Sequence, residues 1–115
     1  DCKKYTFNYE LMKKMNGGKQ MKDTDWIFGL CRGNERLKDE NGIKAHPTQK
    51  PLKLIQQVIL AASNKGDIVF DPFMGSGTTA VVAEALGRKW LGIEKDEKYV
   101  TLARNRVSSF KKTKV

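Results

Sequence analysis

Cysteine is scarce in this chain: Cys2 and Cys31 are the two present among 115 residues, and they stand apart from each other. Histidine is scarcer, with His46 alone. Zinc sites draw on clusters of Cys and His, and disulfide frameworks need several paired Cys. Neither pattern is here, so no metal site is expected, and isolated thiols fit a reducing, cytoplasmic setting. Long apolar runs are missing as well. Nothing approaches the roughly 20 residues that cross a bilayer, no signal-peptide pattern is found, and no membrane association is expected. Internal repeats and low-complexity segments are absent too. Negative charge is in deficit: 13 Asp and Glu face 22 Lys and Arg, for a net +9. On one small domain, that excess is a footprint for a polyanion, most often nucleic acid. A generic solvated basic surface is the lesser alternative for the charge.

What is present is concentrated in residues 66–94, GDIVFDPFMGSGTTAVVAEALGRKWLGIE. A short apolar run over 68–70 predicts a strand that ends in Asp71-Pro72-Phe73-Met74. Gly75-Ser76-Gly77 follows, then a helical segment over 78–86 with Gly87 as its stop. A second strand is predicted over 89–93, closed by Glu94. A strand, glycine turn, helix and strand with an acid at the second strand's end is the unit that binds a nucleoside-bearing cofactor at the carboxyl ends of its strands. Gly75 and Gly77 tolerate positive φ and carry no Cβ, so a ligand could lie directly on the backbone. Thr78 and Thr79 open the helix, where free N–H groups favour negative charge. Glu94, 19 residues after Gly75, is placed to accept from both hydroxyls of a ribose.

Gly75, Gly77 and Ala80 also satisfy G-x-G-x-x-A, so a nicotinamide or flavin dinucleotide competes. A dinucleotide strand usually runs apolar straight into its first glycine, whereas Asp-Pro-Phe intervenes here. Asp71 could receive an ammonium group, which a pyrophosphate lacks. Asp71 on a cationic amino-acid moiety and Glu94 on a ribose describe S-adenosylmethionine better than NAD.

Upstream, Phe7, Leu11, Met12 and Met15 predict a helix over about 5–15, stopped by Gly17-Gly18. A short strand is expected over 25–30, around Trp26. The polar loop over 31–42 carries Arg32, Arg36 and Lys38, which could sit on a nucleic-acid backbone. It also carries Glu35, Asp39 and Glu40, which suit a merely solvated loop. His46-Pro47-Thr48-Gln49-Lys50-Pro51 leads into a helix over 52–63, with Leu52, Ile55, Ile59 and Ala62 on one face. Leu54, Val58 and Leu60 widen that face, which predicts burial against a sheet. From local chemistry, His46 reads first as a hydrogen-bonded loop residue. A last helix starts at Asp96-Glu97, has Tyr99, Val100, Ala103 and Val107 as its apolar stripe, and ends in a basic run that suits a helix C-terminus. Two clear parallel strands and one near Trp26 fall short of the five or more of a doubly wound sheet. With helices on one side only, the other side of such a sheet stays bare. The chain reads as part of an α/β fold.

HPTQKP, a helix, DPFMGSGTT and then LGIE, in that order, resemble the carboxyl-terminal half of DNA amino-methyltransferases of the permuted beta class. The likeness is close over 44–107 and looser over 5–39. It implies a Rossmann-like, three-layer αβα methyltransferase fold, partial in this chain. It further implies S-adenosylmethionine as cofactor, DNA as substrate, and methyl transfer to N6 of adenine or N4 of cytosine. Asp71, Phe73, Gly75 and Gly77 match the family's cofactor loop, with Ser76, Thr78 and Thr79 in the same turn. Glu94 matches the ribose acid, and Thr48, Gln49 and Lys50 match the segment beside the methionine end. Residues 1–45 correspond to the tail of a target-recognition region and residues 46–115 to the cofactor-binding half. The family's catalytic signature, Asp/Asn/Ser-Pro-Pro-aromatic, has no counterpart here. No catalytic residue is therefore assigned, and this chain alone is expected to be inactive. The implied partners are an amino-terminal catalytic half and, as a candidate, a restriction endonuclease. A dinucleotide-binding fragment of an oxidoreductase and a non-enzymatic basic nucleic-acid module are the competing readings.

Overall fold

A computed structural model describes residues 5–22 and 50–113. Its elements are α1 (Tyr9–Met15), α2 (Leu52–Ala62), β1 (Ile68–Asp71), α3 (Thr78–Ala85), β2 (Lys89–Gly92) and α4 (Glu97–Thr113). The strand expected near Trp26, the basic loop and the segment around His46 lie outside the described residues.

β1 and β2 pair in parallel, with Ile68 opposite Lys89 and Asp71 opposite Gly92. Alternation along a strand sends neighbouring side chains to opposite faces. Val69 and Trp90 point to the face that the helices cover. There Ile59 of α2 meets Val82 and Ala83 of α3, with Leu52, Ile55 and Leu86 around them. Trp90 also joins a second cluster built from Met74, Ala80 and Val107 of α4. Its indole N–H donates to Glu84 at 3.1 Å, so its polar edge is satisfied beside the core. Ile68 (69% exposed), Phe70 (55%), Leu91 (57%) and Ile93 (55%) occupy the opposite face, which no described residue covers. A bare apolar face is what the sequence predicts for two strands with helices on one side.

Helix ends explain where the chain turns. At the end of α3, Gly87 has φ +76°, its N–H bonds to Glu84 O, and the Arg88 N–H bonds to Ala83 O. That is a Schellman stop, which needs a residue at ease with positive φ. Ser63, after α2, is extended instead, so the helix's last carbonyls turn to distant donors. Asn8 Nδ2 donates to Leu60 O and Ser63 O at 2.7 and 2.8 Å, and the Asn8 N–H donates to Ala61 O. Arg88, 7% exposed, adds bonds to Ser63 Oγ, Ser63 O and Leu86 O. A guanidinium at a helix C-terminus also suits the dipole.

Two expectations change. α1 starts at Tyr9 rather than near residue 5, because Asn8 is drawn to the end of α2 and holds the preceding residues non-helical. Of the predicted apolar set, Met12 is buried, whereas Phe7, Leu11 and Met15 are exposed. On α2, Ala61 is buried and Ala62 exposed, and Val58 is 44% exposed. The helix packs chiefly on α3 and α1, which rotates its buried stripe away from the sheet-facing pattern.

Candidate functional site

Parallel pairing puts the carboxyl ends of β1 and β2 on one edge, where the chain leaves into two adjacent turns. The Ile93 N–H donates to Asp71 O at 3.0 Å, and the Met74 N–H donates to Ile93 O at 2.9 Å. These bonds lash the 72–77 turn to the end of β2.

Two carboxylates sit on this edge. Asp71 accepts from the Phe73 N–H at 2.9 Å and from the Thr79 hydroxyl at 2.7 Å, one bond to each oxygen. Glu94 accepts from the Gly75 N–H at 2.9 Å and the Asp96 N–H at 3.2 Å, again one per oxygen. An ionised carboxylate offers about four acceptor sites, so each keeps about two for a ligand. Neither is paired with Lys or Arg among the described residues; the ion pair present there joins Lys111 to Glu84. Both side chains are half-buried and held by neutral donors, which suits a ligand carrying an ammonium group and vicinal hydroxyls. Phe73, 86% exposed, stands beside them as a bare aromatic surface.

The glycines serve this edge differently from the sequence reading. Both are buried, with φ +56° at Gly75 and +85° at Gly77. Gly75 gives its N–H to Glu94, so that amide holds the acid in place. At Gly77 a Cβ would lie 2.6 Å from Ala103 Cβ and 2.8 Å from Ala103 Cα. Its missing side chain lets α4 approach. Asp71, Glu94 and Phe73 are the side chains this edge leaves accessible.

Ser76 and Thr78 are 4% and 5% exposed. Both hydroxyls are engaged by Arg106 of α4, at 3.3 and 3.0 Å, and the same nitrogen donates to Ser76 O at 3.0 Å. Their side chains thus face α4. Thr79, half-buried, is the threonine turned toward the carboxylates. Lys50 is exposed just ahead of Pro51, and no hydrogen bond or ion pair ties it to this edge among the described residues. Thr48, Gln49, Arg32, Arg36 and Lys38 lie outside those residues. Ala103 and Arg106 were not singled out as site residues. The signal was a cation at position 106 between Ala103 and Val107, inside an otherwise apolar stripe.

A family model described as DNA methylase matches residues 1–105. The chain belongs to the DNA methylase family. M.HinfI of Haemophilus influenzae, a type II methyltransferase, is 51% identical to this methylase chain over 112 residues, 96% of it and 31% of that protein. M2.DpnII of Streptococcus pneumoniae, also a type II methyltransferase, is 44% identical over 110 residues, 96% of this chain and 39% of the relative. Among solved structures, the complex of M1.HpyAVI with SAM superposes with a TM-score of 0.69 at 36% identity. That match covers 90% of this chain and 44% of the other. PvuII DNA methyltransferase, cytosine-N4-specific, gives a TM-score of 0.54 at 35% identity, over 63% of this chain and 28% of that one. The methylase chain has the Rossmann-like fold of these enzymes, with a small partial sheet, and spans 31% and 39% of the two curated relatives.

Proposed function

We propose that this chain binds S-adenosylmethionine for a site-specific DNA methyltransferase that modifies the exocyclic amine of adenine (N6) or cytosine (N4). One observation carries the reading: two carboxylates on adjacent strand ends, each fixed by neutral donors and free of a cationic partner among the described residues. Asp71 would accept from the amino group of the cofactor, Glu94 from its ribose hydroxyls, and Phe73 would cover an apolar part. S-adenosylmethionine, when bound, supplies a methyl group made electrophilic by its sulfonium. This chain's own part is to orient and hold, since it carries no Pro-Pro-aromatic sequence to receive a flipped base.

The remaining assignments follow from this reading. The catalytic half comes from polypeptide outside this sequence, and the bare face of β1 and β2 is where it docks, because a parallel sheet is covered on both sides. Residues 1–45 belong to the target-recognition tail, with Arg32, Arg36 and Lys38 on the DNA backbone, and Thr48, Gln49 and Lys50 beside the methionine end of the cofactor. Ser76, Gly77 and Thr78 serve the cofactor by shaping the turn. The enzyme works in the cytoplasm, and a restriction endonuclease is its candidate functional partner.

Calorimetric titration of the completed enzyme with S-adenosylhomocysteine and with NAD tests the assignment. Binding of the first and not the second is expected. Asp71→Ala and Glu94→Ala should each weaken binding about ten- to hundred-fold, the weight of charge-assisted hydrogen bonds. Unchanged affinity in both variants would discredit the site. The chain alone should transfer no labelled methyl group to DNA.

A further inference from the structure

The turn that holds Glu94 is itself held residue by residue. Met74 is fixed through its N–H to Ile93 O, and its side chain lies against Gly92, where any Cβ would collide with it. Gly77 is pressed against Ala103 of α4. Arg106, one turn further along α4, brings a single nitrogen, Nη1, to Ser76 O, Ser76 Oγ and Thr78 Oγ1, at 3.0, 3.3 and 3.0 Å. Nη1 carries two hydrogens, so three acceptors imply one shared bond that ties both sides of Gly77 to one point. The guanidinium sits by the first turn of α3, where the helix dipole disfavours a cation. Gly75 is the remaining residue of the turn, and its N–H is aimed at Glu94.

We infer that Arg106 is a positioning residue for the cofactor, acting through Ser76, Thr78 and the Gly75 amide to fix the ribose-binding carboxylate of Glu94. This rests on the proposed binding of S-adenosylmethionine. Among the described residues the hydrogen bonds of Arg106 Nη1 go to Ser76 and Thr78 rather than to Asp71 or Glu94, so its effect is to set where Glu94 stands. Losing it leaves Asp71 in place, because Asp71 is held by Phe73 and Thr79, independently of α4.

The test is a ligand-by-variant cycle on the completed enzyme, using S-adenosylhomocysteine and its 2′-deoxyribose analogue. In the wild type, the 2′-hydroxyl strengthens binding. Arg106→Met should weaken the ribose form about ten-fold and the deoxy form far less, a loss the size of one or two hydrogen bonds. KM for S-adenosylmethionine should rise more than kcat falls, as for binding shared by ground and transition states. Arg106→Lys, whose ammonium carries three N–H donors, should recover part of the loss. Thr78→Val supplies the same comparison if the methionine variant does not fold. Equal losses on both ligands, or no loss on either, overturn the inference. A wild-type enzyme that binds neither ligand sinks the cofactor reading, and the inference falls with it.

Discussion

Gly77→Ala is the substitution whose cost can be worked out term by term. Gly77 has φ +85°, a conformation in which an L side chain meets the following carbonyl, at about 1–2 kcal/mol. The new methyl would also lie 2.6 Å from Ala103 Cβ and 2.8 Å from its Cα. Because one of those atoms is backbone, no rotamer change relieves the contact; α4 or the turn must shift, at about 1–3 kcal/mol. The sum is about 2–5 kcal/mol, a large share of the about 5–15 kcal/mol that holds a typical domain together. Gly87→Ala separates the two terms. It has φ +76°, yet the nearest atoms to its Cβ belong to the flexible Lys65 side chain at 3.7 and 4.0 Å. It should lose the backbone term alone, about 1–2 kcal/mol. Urea unfolding followed by tryptophan fluorescence, with Trp90 in the core, measures both variants through their midpoints. Equal midpoints for the two would refute the claim that α4 occupies the Gly77 position. In the Gly77→Ala background, Ala103→Gly should restore stability in part, since it removes the Cβ contact and leaves the Cα one.

Arg88→Met should cost about 1–3 kcal/mol by removing the side-chain donor to Leu86 O and one of two donors to Ser63 O, which keeps its bond from Asn8, and urea unfolding would show it; a loss under about 0.5 kcal/mol would mean water replaces the guanidinium. Phe70→Ser with Leu91→Ser should change the chain's own stability by less than about 1 kcal/mol, because both side chains are more than half exposed. The same pair should abolish co-purification with the catalytic half, and undiminished co-purification would place the docking face elsewhere.

Much of the site was legible because it is built from local grammar. Asp71-Pro72-Phe73, Gly75-Ser76-Gly77 and Glu94 announce a strand end, a turn and a second strand end, and the register of β1 with β2 brings them together as that order demands. That the described residues leave one face of β1 and β2 uncovered matches the count of strands against the cover they need. Contacts of long sequence separation were not legible. Arg88 and Asn8 both look like surface residues of polar stretches, yet they close the end of α2 from opposite ends of the chain. The packing of α4 on Gly77 was hidden for the same reason: a glycine beneath a ligand and a glycine beneath a helix have the same letter, and the contact comes from Ala103, distant in sequence.

The bare face and the carboxylate edge are parts of one arrangement. Phe70 immediately precedes Asp71, and Ile93 immediately precedes Glu94. Whatever covers Phe70 and Ile93 therefore reaches to within one residue, about 3.3 Å along a strand, of the edge where Asp71 and Glu94 stand, although the Asp71 side chain alternates to the other face. If the proposed catalytic half docks on that face and reaches over the strand ends, it would reduce water access to that edge, and hydrogen bonds from Asp71 and Glu94 to a ligand would strengthen as the surroundings become less polar. Docking and cofactor binding then favour each other, since each is tighter when the other has occurred. On the proposed function, methyl transfer needs cofactor and target base on one edge, and a division of the fold along this face would make the finished cofactor site depend on the half that receives the base.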